Sequence, residues 1–125
     1  MKEVVRLILF APGNEDARHR KPFEELAESI RNELGKDRVR LAYIQSASPN
    51  LAEVAEEAAN DGVGRIRILP LLFYPGIAAE KEILEQVAVV RAQVPQVALE
   101  VLPRVGEHPR MRTLLHALAR EAANF

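Results

Sequence analysis

The 125-residue chain contains no cysteine, so disulfides and thiolate metal sites are excluded. No apolar run approaches the roughly 20 residues that a membrane-spanning helix needs. The apolar segment 4–10 does not resemble a signal peptide, because it is short and Arg6 interrupts it. The formal net charge is −1, so no overall attraction to nucleic acid or to an anionic membrane is expected. We therefore expect one cytoplasmic domain spanning residues 1–125, without a nucleic-acid or membrane partner.

Apolar, β-rich segments alternate with segments of helical periodicity along the whole chain. The predicted strands are 4–10, 39–44, 66–73 and 97–102. A helix is predicted after each of them, with the first beginning at Pro22, the second capped by Ser48, the third carrying apolar residues from Ile83 to Val94, and the fourth beginning near Pro109. The order βαβαβαβα predicts an α/β fold with parallel strands and right-handed crossovers.

Two further expectations concern single elements of this pattern. Pro70 lacks a backbone donor, so a bulge or another irregularity is predicted in the third strand. The fourth helix is expected to bury its apolar stripe, which consists of Met111, Leu114, Leu115 and Leu118.

Four parallel strands with helices on both faces form a small doubly wound sheet, for which the flavodoxin-like order 2-1-3-4 is predicted. Ligands of such sheets bind outside the carboxyl ends of the strands, at the switch point between strands one and three. The sequence APGNED (11–16) leaves the first strand, and the segment 74–80 leaves the third. We expect these two loops to face each other across a crevice that forms the ligand site.

The predicted crevice lacks the motifs of several common nucleotide and phosphate sites. The chain contains neither a GxxxxGK[ST] loop nor a GxGxxG turn after the first strand, so P-loop and dinucleotide sites are disfavoured. A receiver domain needs an aspartate after the third strand, where this chain has Leu72, Phe73 and Tyr74. A flavodoxin needs a hydroxyl-rich phosphate loop, and APGNED contains no serine or threonine.

Five segments in register carry a family resemblance over nearly the whole chain. Segment 11–14 is similar to the A-H-G-S turn of one family, and segment 22–26 to the opening of its first helix. Segment 43–51 is similar to its F-L-E and P-S-L motifs, and segment 68–76 to its V-P-L-F-L and G-x-H motifs. Segment 106–110 is similar to its G-E-x-P motif. The chain thus resembles the small, single-lobe sirohydrochlorin cobaltochelatases of cobalamin biosynthesis, which belong to the class II chelatase superfamily. The resemblance implies metal insertion into an anionic tetrapyrrole.

The chain departs from this family where the metal chemistry is expected. Pro12 and Ala78 stand where the family has its two metal-binding histidines, and Gln45 replaces a glutamate of many members. Proline and alanine side chains cannot coordinate a metal, whereas imidazole suits cobalt, nickel and iron. We therefore predict no metal site formed by two or more histidines of this chain and no firmly bound cofactor. Divalent cobalt, or iron or nickel, is expected only as a metal substrate. His19 is the one histidine that the sequence offers as a replacement for a lost metal ligand.

The resemblance assigns roles to residues of the two loops and their neighbours. Glu80 and Glu82 are the predicted catalytic bases, since two pyrrole N–H protons must leave when a metal enters. The predicted tetrapyrrole-binding residues are Asn14, Arg18, Arg20, Gln45, Tyr74, Gly76 and Arg104. The basic ones belong to two groups, 18–21 and 104–112, that suit a ligand with many carboxylates.

Each of these features also has a purely structural interpretation. Asn14 and Asp16 are common turn residues, basic runs are usually solvated, and acidic residues such as Glu80 favour a helix N-terminus. Two functions therefore stay open: a divergent chelatase, and a non-catalytic tetrapyrrole-binding protein or partner subunit of an active chelatase. A single lobe would cover too little of a flat tetrapyrrole, so a homodimer with a shared cleft is also predicted.

Overall fold

A computed structural model describes residues 3–74 and 76–124 of the chain, and Pro75, which belongs to the second predicted loop, lies outside them. Strands and helices alternate as the sequence predicts. They are β1 (Val5–Ala11), α1 (Ala17–Leu34), β2 (Val39–Tyr43), α2 (Leu51–Asn60), β3 (Arg65–Pro70), α3 (Ile77–Gln93), β4 (Ala98–Val101) and α4 (Pro109–Ala123). A short 3-10 turn, Val105–Glu107, connects β4 to α4.

The four strands form one parallel sheet in the order β2-β1-β3-β4, which confirms the predicted doubly wound topology. Ile8 of β1 pairs with Arg40 of β2 on one side and with Ile68 of β3 on the other. Because β1 and β3 are parallel neighbours, the loops that follow them leave the same edge of the sheet. The two loops therefore leave the sheet beside the β1–β3 switch point, where the crevice is predicted.

β1 is the centre of the core and is buried on both faces, as its continuous apolar sequence predicts. Ile8 and Phe10 pack in one cluster with residues of α2 and α3, and Leu9 packs in a second cluster with Ala27 of α1. The alternation of side chains along the strand assigns successive residues to opposite faces. The helices that cover these two faces fix where the loops emerge.

Arg6 is the one charged residue buried among the described residues, with 4% of its surface exposed. Its Nε donates to the Asp37 carbonyl at 2.8 Å, and its guanidinium lies 3.1 Å from the Asp61 carboxylate and 3.6 Å from that of Glu57. A buried guanidinium is tolerated when its donors are satisfied in this way. These contacts tie the amino end of β1 to the loop before β2 and to the end of α2.

The first helix begins five residues earlier than predicted. It starts at Ala17 with Asp16 as its N-cap, so Pro22 lies inside the helix and the basic run 18–21 lies in its first two turns. The Asp16 side chain accepts the Arg18 N–H at 2.9 Å, which satisfies an otherwise unpaired donor. An internal proline removes one hydrogen bond to the residue four positions earlier. The Asp16 cap outweighs this cost of an internal proline, so α1 begins before Pro22.

The second helix and the third strand also differ from the predictions in detail. Asn50, rather than Ser48, caps α2: its side chain accepts the Glu53 N–H at 2.9 Å in a reciprocal capping box. β3 ends at Pro70 without a bulge, and Pro70 stays in register with Phe10. Leu71 N–H donates to the Phe10 carbonyl of β1, and backbone N–H directions alternate along a strand, so the nitrogen of Pro70 faces β4. Pro70 lies beyond the last residue pair of β3 and β4.

The expectation that α4 buries its apolar stripe is wrong. No residue of α4 is buried, and Leu114, Leu115 and Leu118 expose 50%, 36% and 49% of their surfaces. The helix contacts the rest of the chain chiefly at the 3-10 turn from which it begins. Amphipathic periodicity therefore predicted the helix correctly, but not what its apolar face contacts.

Candidate functional site

The loop after β1 is held in a fixed shape by its own polar groups. Asn14 Oδ1 accepts the Asp16 N–H at 2.8 Å, and Gly13 packs so closely on the next loop that a Cβ there would lie 1.6 Å from the Gln45 carbonyl oxygen. The Gln45 side chain adds a hydrogen bond from Nε2 to the Gly13 carbonyl at 3.3 Å. The segment APGN thus packs closely against the loop after β2 at the carboxyl edge of the sheet.

Two predicted ligand-binding arginines have contacts within this loop. Arg18 forms an ion pair with Asp16 at 2.7 Å, and this hydrogen-bonded contact, with the Arg18 N–H, lowers the pKa of Asp16. Arg20 donates from one guanidinium nitrogen to the carbonyls of Asn14 and Glu15, at 2.8 and 2.9 Å. Arg20 therefore supports the loop, while the Arg18 side chain, 88% exposed, remains accessible to an anion.

A cavity of about 480 Å³ lies between the loop after β2, the start of α2 and the side of α3 that carries Glu82 and Gln86. It brings together two predicted site residues, Gln45 and Glu82. Gln86 joins the two elements, because its Nε2 donates to the Ile44 carbonyl and to Glu82 Oε1, each at 2.8 Å. The cavity therefore contains amides and a carboxylate that is oriented by a neighbouring side chain.

Sequence reasoning missed two residues of this cavity, Gln86 and Ser46. Gln86 lies one helical turn after Glu82, so the spacing of four residues was the available signal. Ser46 adopts a positive φ of 61°, an uncommon conformation for a residue with a side chain. Such conformations are enriched at functional sites, but nothing in the sequence distinguishes Ser46 from an ordinary loop serine.

Tyr43, at the end of β2, also lines this cavity and is almost completely buried. Its hydroxyl donates to Glu24 Oε2 at 3.2 Å. Burial, followed by the Glu24 charge and this hydrogen bond, raises the pKa of Tyr43 to about 12. The hydroxyl is therefore a neutral donor at neutral pH.

This raised pKa predicts a loss of stability at alkaline pH. The neutral phenol contributes fully below the unfolded pKa of about 10, and its contribution disappears as the pH rises toward about 12. Between roughly pH 9 and pH 11.5 we expect the free energy of unfolding to fall about 2 kcal/mol further in the native protein than in Tyr43→Phe. Urea denaturation of both proteins at each pH measures this free energy of unfolding. A Tyr74→Phe background leaves Tyr43 as the one tyrosine for absorbance titration, and a midpoint near pH 10 in the folded protein would contradict the prediction.

Glu80 and Arg104 lie in a separate, smaller cavity of about 160 Å³ between the start of α3 and the segment after β4. Arg104 contacts Glu80 at 3.7 Å and pairs with Glu107. Arg104 is thus placed between two carboxylates, and Glu80 already has a cationic partner. The two cavities share no lining residue, so the structure separates the two predicted bases.

Two aromatic residues are exposed where β3 leaves the sheet. Phe73 and Tyr74 expose 48% and 66% of their surfaces, and their rings contact edge to face with centroids 4.5 Å apart. Gly76 caps α3 with no side-chain hydrogen bond. Tyr74 and Gly76 therefore lie at the carboxyl edge as predicted from the topology, and Phe73 is an exposed neighbour that the sequence assigned to the strand.

The structure provides little for a resident metal at this edge. Pro12 and Ala78 carry no donor atoms, and among residues 3–74 and 76–124 no three His, Cys, Asp or Glu side chains cluster as a metal site. His19 is exposed on α1, and His108 caps α4 by accepting the Arg110 N–H at Nδ1, 3.0 Å away. Over the same described residues, no helix combines the length and apolar character needed to span a membrane.

The four-stranded parallel sheet in this order defines an α/β protein, and its fold is chelatase-like by similarity to solved CbiX and SirB structures. The CbiX family model matches residues 6–122, and the chain belongs to the CbiX family. This confirms the resemblance drawn from the sequence motifs. Comparison with curated proteins gives no match.

Solved structures support the same fold. A CbiX protein assigned to cobalamin (vitamin B12) biosynthesis, from Marinobacter aquaeolei VT8, has a TM-score of 0.83 and 25% identity, covering 96% of this chain and 95% of that one. The sirohydrochlorin chelatase SirB from Bacillus subtilis subspecies spizizenii, in complex with cobalt, has a TM-score of 0.79 and 13% identity, covering 96% of this chain and 51% of SirB. DR2241 from Deinococcus radiodurans, a multi-domain protein with structural similarity to chelatases, has a TM-score of 0.71 and 25% identity, covering 97% of this chain and 25% of that one.

The shares of the three relatives that this chain covers differ. The chain matches the Marinobacter protein over nearly its full length, but it spans about half of SirB and a quarter of DR2241. One copy of the sheet therefore occurs both in a short chain and as part of longer ones.

Proposed function

We propose that this protein is a sirohydrochlorin cobaltochelatase-like protein of cobalamin or sirohaem biosynthesis. The observation that carries the proposal is the CbiX match over residues 6–122, on a sheet whose carboxyl edge is open and polar. The ligand is an anionic tetrapyrrole, and divalent cobalt, or iron or nickel, is the metal substrate. The proposal keeps the cytoplasmic location and the single domain expected from the sequence.

The carboxyl edge offers several contacts to such a ligand. Arg18 is exposed beside the first loop, and the amides of Gln45 and Gln86 line the larger cavity. Arginine suits carboxylate ligands because it can donate two parallel hydrogen bonds. The proposed tetrapyrrole-binding residues are Asn14, Arg18, Arg20, Gln45, Tyr74, Gly76 and Arg104.

Metal insertion also requires acceptors for two pyrrole N–H protons. Glu82 lines the cavity and is oriented by Gln86, whereas Glu80 is engaged by Arg104. We assign Glu82 the larger role in accepting these protons and Glu80 a smaller one. During insertion, the two N–H protons pass to bases and the divalent metal binds the deprotonated pyrrole nitrogens. Neither the macrocycle nor the metal changes its oxidation state.

The second candidate is a non-catalytic tetrapyrrole-binding protein, or a partner subunit of an active chelatase. The absence of donor atoms at Pro12 and Ala78 favours it, because the histidine pair expected from the resemblance cannot deliver a metal there. In this case Glu82 has a binding role instead of a catalytic one.

We further propose a homodimer that places two carboxyl edges around one cleft. A single edge covers one side of a flat macrocycle, and good small-molecule sites bury roughly 70% or more of their ligand. A symmetric dimer supplies the second wall by reusing the same surface.

Titration of the protein with sirohydrochlorin, with and without cobalt, tests both candidates. We expect a change in the tetrapyrrole absorbance on binding. If the protein is a chelatase, we expect Glu82→Gln to lower the cobalt insertion rate by about 100-fold, the usual contribution of a proton acceptor, with binding retained. Glu56→Gln, on the surface of α2, is the matched control.

The possible results separate the candidates. Acceleration of insertion that depends on Glu82 supports the chelatase, and binding without acceleration supports the binding protein. The absence of any tetrapyrrole binding would contradict both.

A further inference from the structure

The aromatic side chains of Phe73 and Tyr74 form an exposed surface at the carboxyl edge, which we call the aromatic platform. Their two rings contact edge to face at an interplanar angle of 71°. Ile77, the first residue of α3, follows them three positions after Tyr74 and is 89% exposed. Single exposed apolar residues need no explanation, but neighbouring ones mark a binding surface. The platform is therefore a candidate contact for the apolar part of a ligand.

The main chain that carries the platform is fixed by the segment after β4. The Gly106 N–H donates to the Leu72 carbonyl at 3.0 Å. Gly106 also packs directly against the main chain of Phe73, with no room for a side chain between them. The backbone of this loop is thus held in place while the two rings stay exposed. A binding surface that is already ordered loses little conformational entropy when a ligand binds.

Basic side chains lie on both sides of the platform. Because the strand order is β2-β1-β3-β4, the loop after β3 leaves the sheet between the loop after β1 and the segment after β4. Arg18 is exposed on the β1 side, and Arg110 and Arg112 are exposed in the first turn of α4 on the other side. Within residues 3–74 and 76–124, neither Arg110 nor Arg112 forms an ion pair. An apolar surface between cations suits a ligand with an apolar centre and a carboxylated rim.

We propose that the aromatic platform binds the flat face of the tetrapyrrole. Two rings at 71° to each other cannot both lie parallel to one flat ligand, so the two residues have different roles. Phe73 stacks on the macrocycle, and Tyr74 contacts its rim, where the phenol hydroxyl donates to a carboxylate. The inference rests on the proposed function and specifies how its ligand is recognised, which is through an aromatic face and without a metal.

Equilibrium binding of sirohydrochlorin, followed by its absorbance, tests the two roles. Phe73→Leu keeps an apolar side chain but removes the flat ring, so we expect the Kd to rise by at least about tenfold. Tyr74→Phe keeps the ring and removes one hydrogen bond, so we expect a smaller rise of about threefold. In the bound wild-type protein, the ring current of the macrocycle should shift the NMR signals of the Phe73 ring protons upfield.

Leu34→Ala is the matched control. Leu34 has the same exposed fraction as Phe73, 48%, and it is the last residue of α1, at the opposite edge of the sheet. We expect the Kd of this variant to equal that of the wild-type protein. Circular dichroism melts establish that all variants are folded.

A second probe separates failure of this inference from failure of the proposed function. Uroporphyrin is a flat, metal-free macrocycle with eight carboxylates. If it binds in a manner that depends on Phe73 while sirohydrochlorin does not bind, the inference stands and the proposed function is wrong. Sirohydrochlorin binding that Phe73→Leu leaves unchanged, bound Phe73 protons that do not shift, an equal loss in Leu34→Ala, or no binding of either macrocycle would overturn the inference.

Discussion

Gly106→Ala is expected to destabilise the fold by about 3 kcal/mol or more, the upper range for inserting atoms into a packed site. A Cβ at Gly106 would lie 1.7 Å from the Phe73 carbonyl oxygen and 2.4 Å from its carbonyl carbon. These are backbone atoms, so no side-chain rotation relieves the contact. In urea denaturation, the midpoint should fall by about 1.5 M for a typical m-value of a small domain.

Gly13→Ala should have a comparable effect for the same reason. A Cβ there would lie 1.6 Å from the Gln45 carbonyl oxygen, so the loops after β1 and β2 could not approach as they do. This variant should also disturb the cavity that contains Gln45, whereas Gly106→Ala acts near Arg104.

Gly76→Ala is the matched control for both substitutions. Among the described residues, no atom beyond Gly76 and its chain neighbours lies within 4 Å of a Cβ placed at Gly76, and its φ of −70° suits any residue. We expect a loss of about 1 kcal/mol or less, because Gly76 is the N-cap of α3 and alanine is poorer than glycine at that position. Equal losses in all three variants would show that close backbone packing is not the cause.

The double substitution Pro12→His with Ala78→His should raise the affinity for divalent cobalt by about 100-fold over the wild-type protein, or 2.7 kcal/mol. Both positions follow neighbouring parallel strands at one edge of the sheet, and imidazole is a suitable ligand for cobalt. Ala78 is the second residue of α3, where the helix dipole favours the neutral imidazole that binds metal. Cobalt d–d absorption or calorimetry measures the affinity.

The control keeps the number of histidines constant. Pro12→His combined with Ala88→His moves one imidazole to an exposed position further along α3. Because a protonated imidazole cannot bind metal, the gain of the first variant should also decrease as the pH falls below about 6.5. The interpretation of positions 12 and 78 is wrong if the control binds cobalt equally well.

The candidate site has a consequence for how the wild-type protein would act without those histidines. Its larger cavity combines Gln45, Gln86 and Glu82, which are oxygen and nitrogen groups suited to hydrogen bonding. Neither Glu80 nor Glu82 is isolated, since Arg104 and Gln86 contact them. For the proposed tetrapyrrole ligand, these groups offer hydrogen-bonding contacts that do not require a bound metal.

The sequence by itself determined the order of elements, the parallel sheet and its switch point. The reason is that the apolar run of β1 and the helical periodicities are local patterns, and right-handed crossovers leave few topologies. The family motifs over residues 11–110 were readable for the same reason, and the CbiX match confirms them. The identities of Pro12 and Ala78 also needed no structure.

Only the tertiary structure decided which side chains share a cavity and which surfaces remain open. Gln45 and Glu82 are far apart in sequence and meet because α3 packs beside the loop after β2, while Arg104 is engaged by Glu80 from another element. Periodicity predicted an apolar face on α4 but not its exposure, because burial depends on what lies opposite. Pairing, capping and burial are contacts between distant segments, and a local pattern does not specify them.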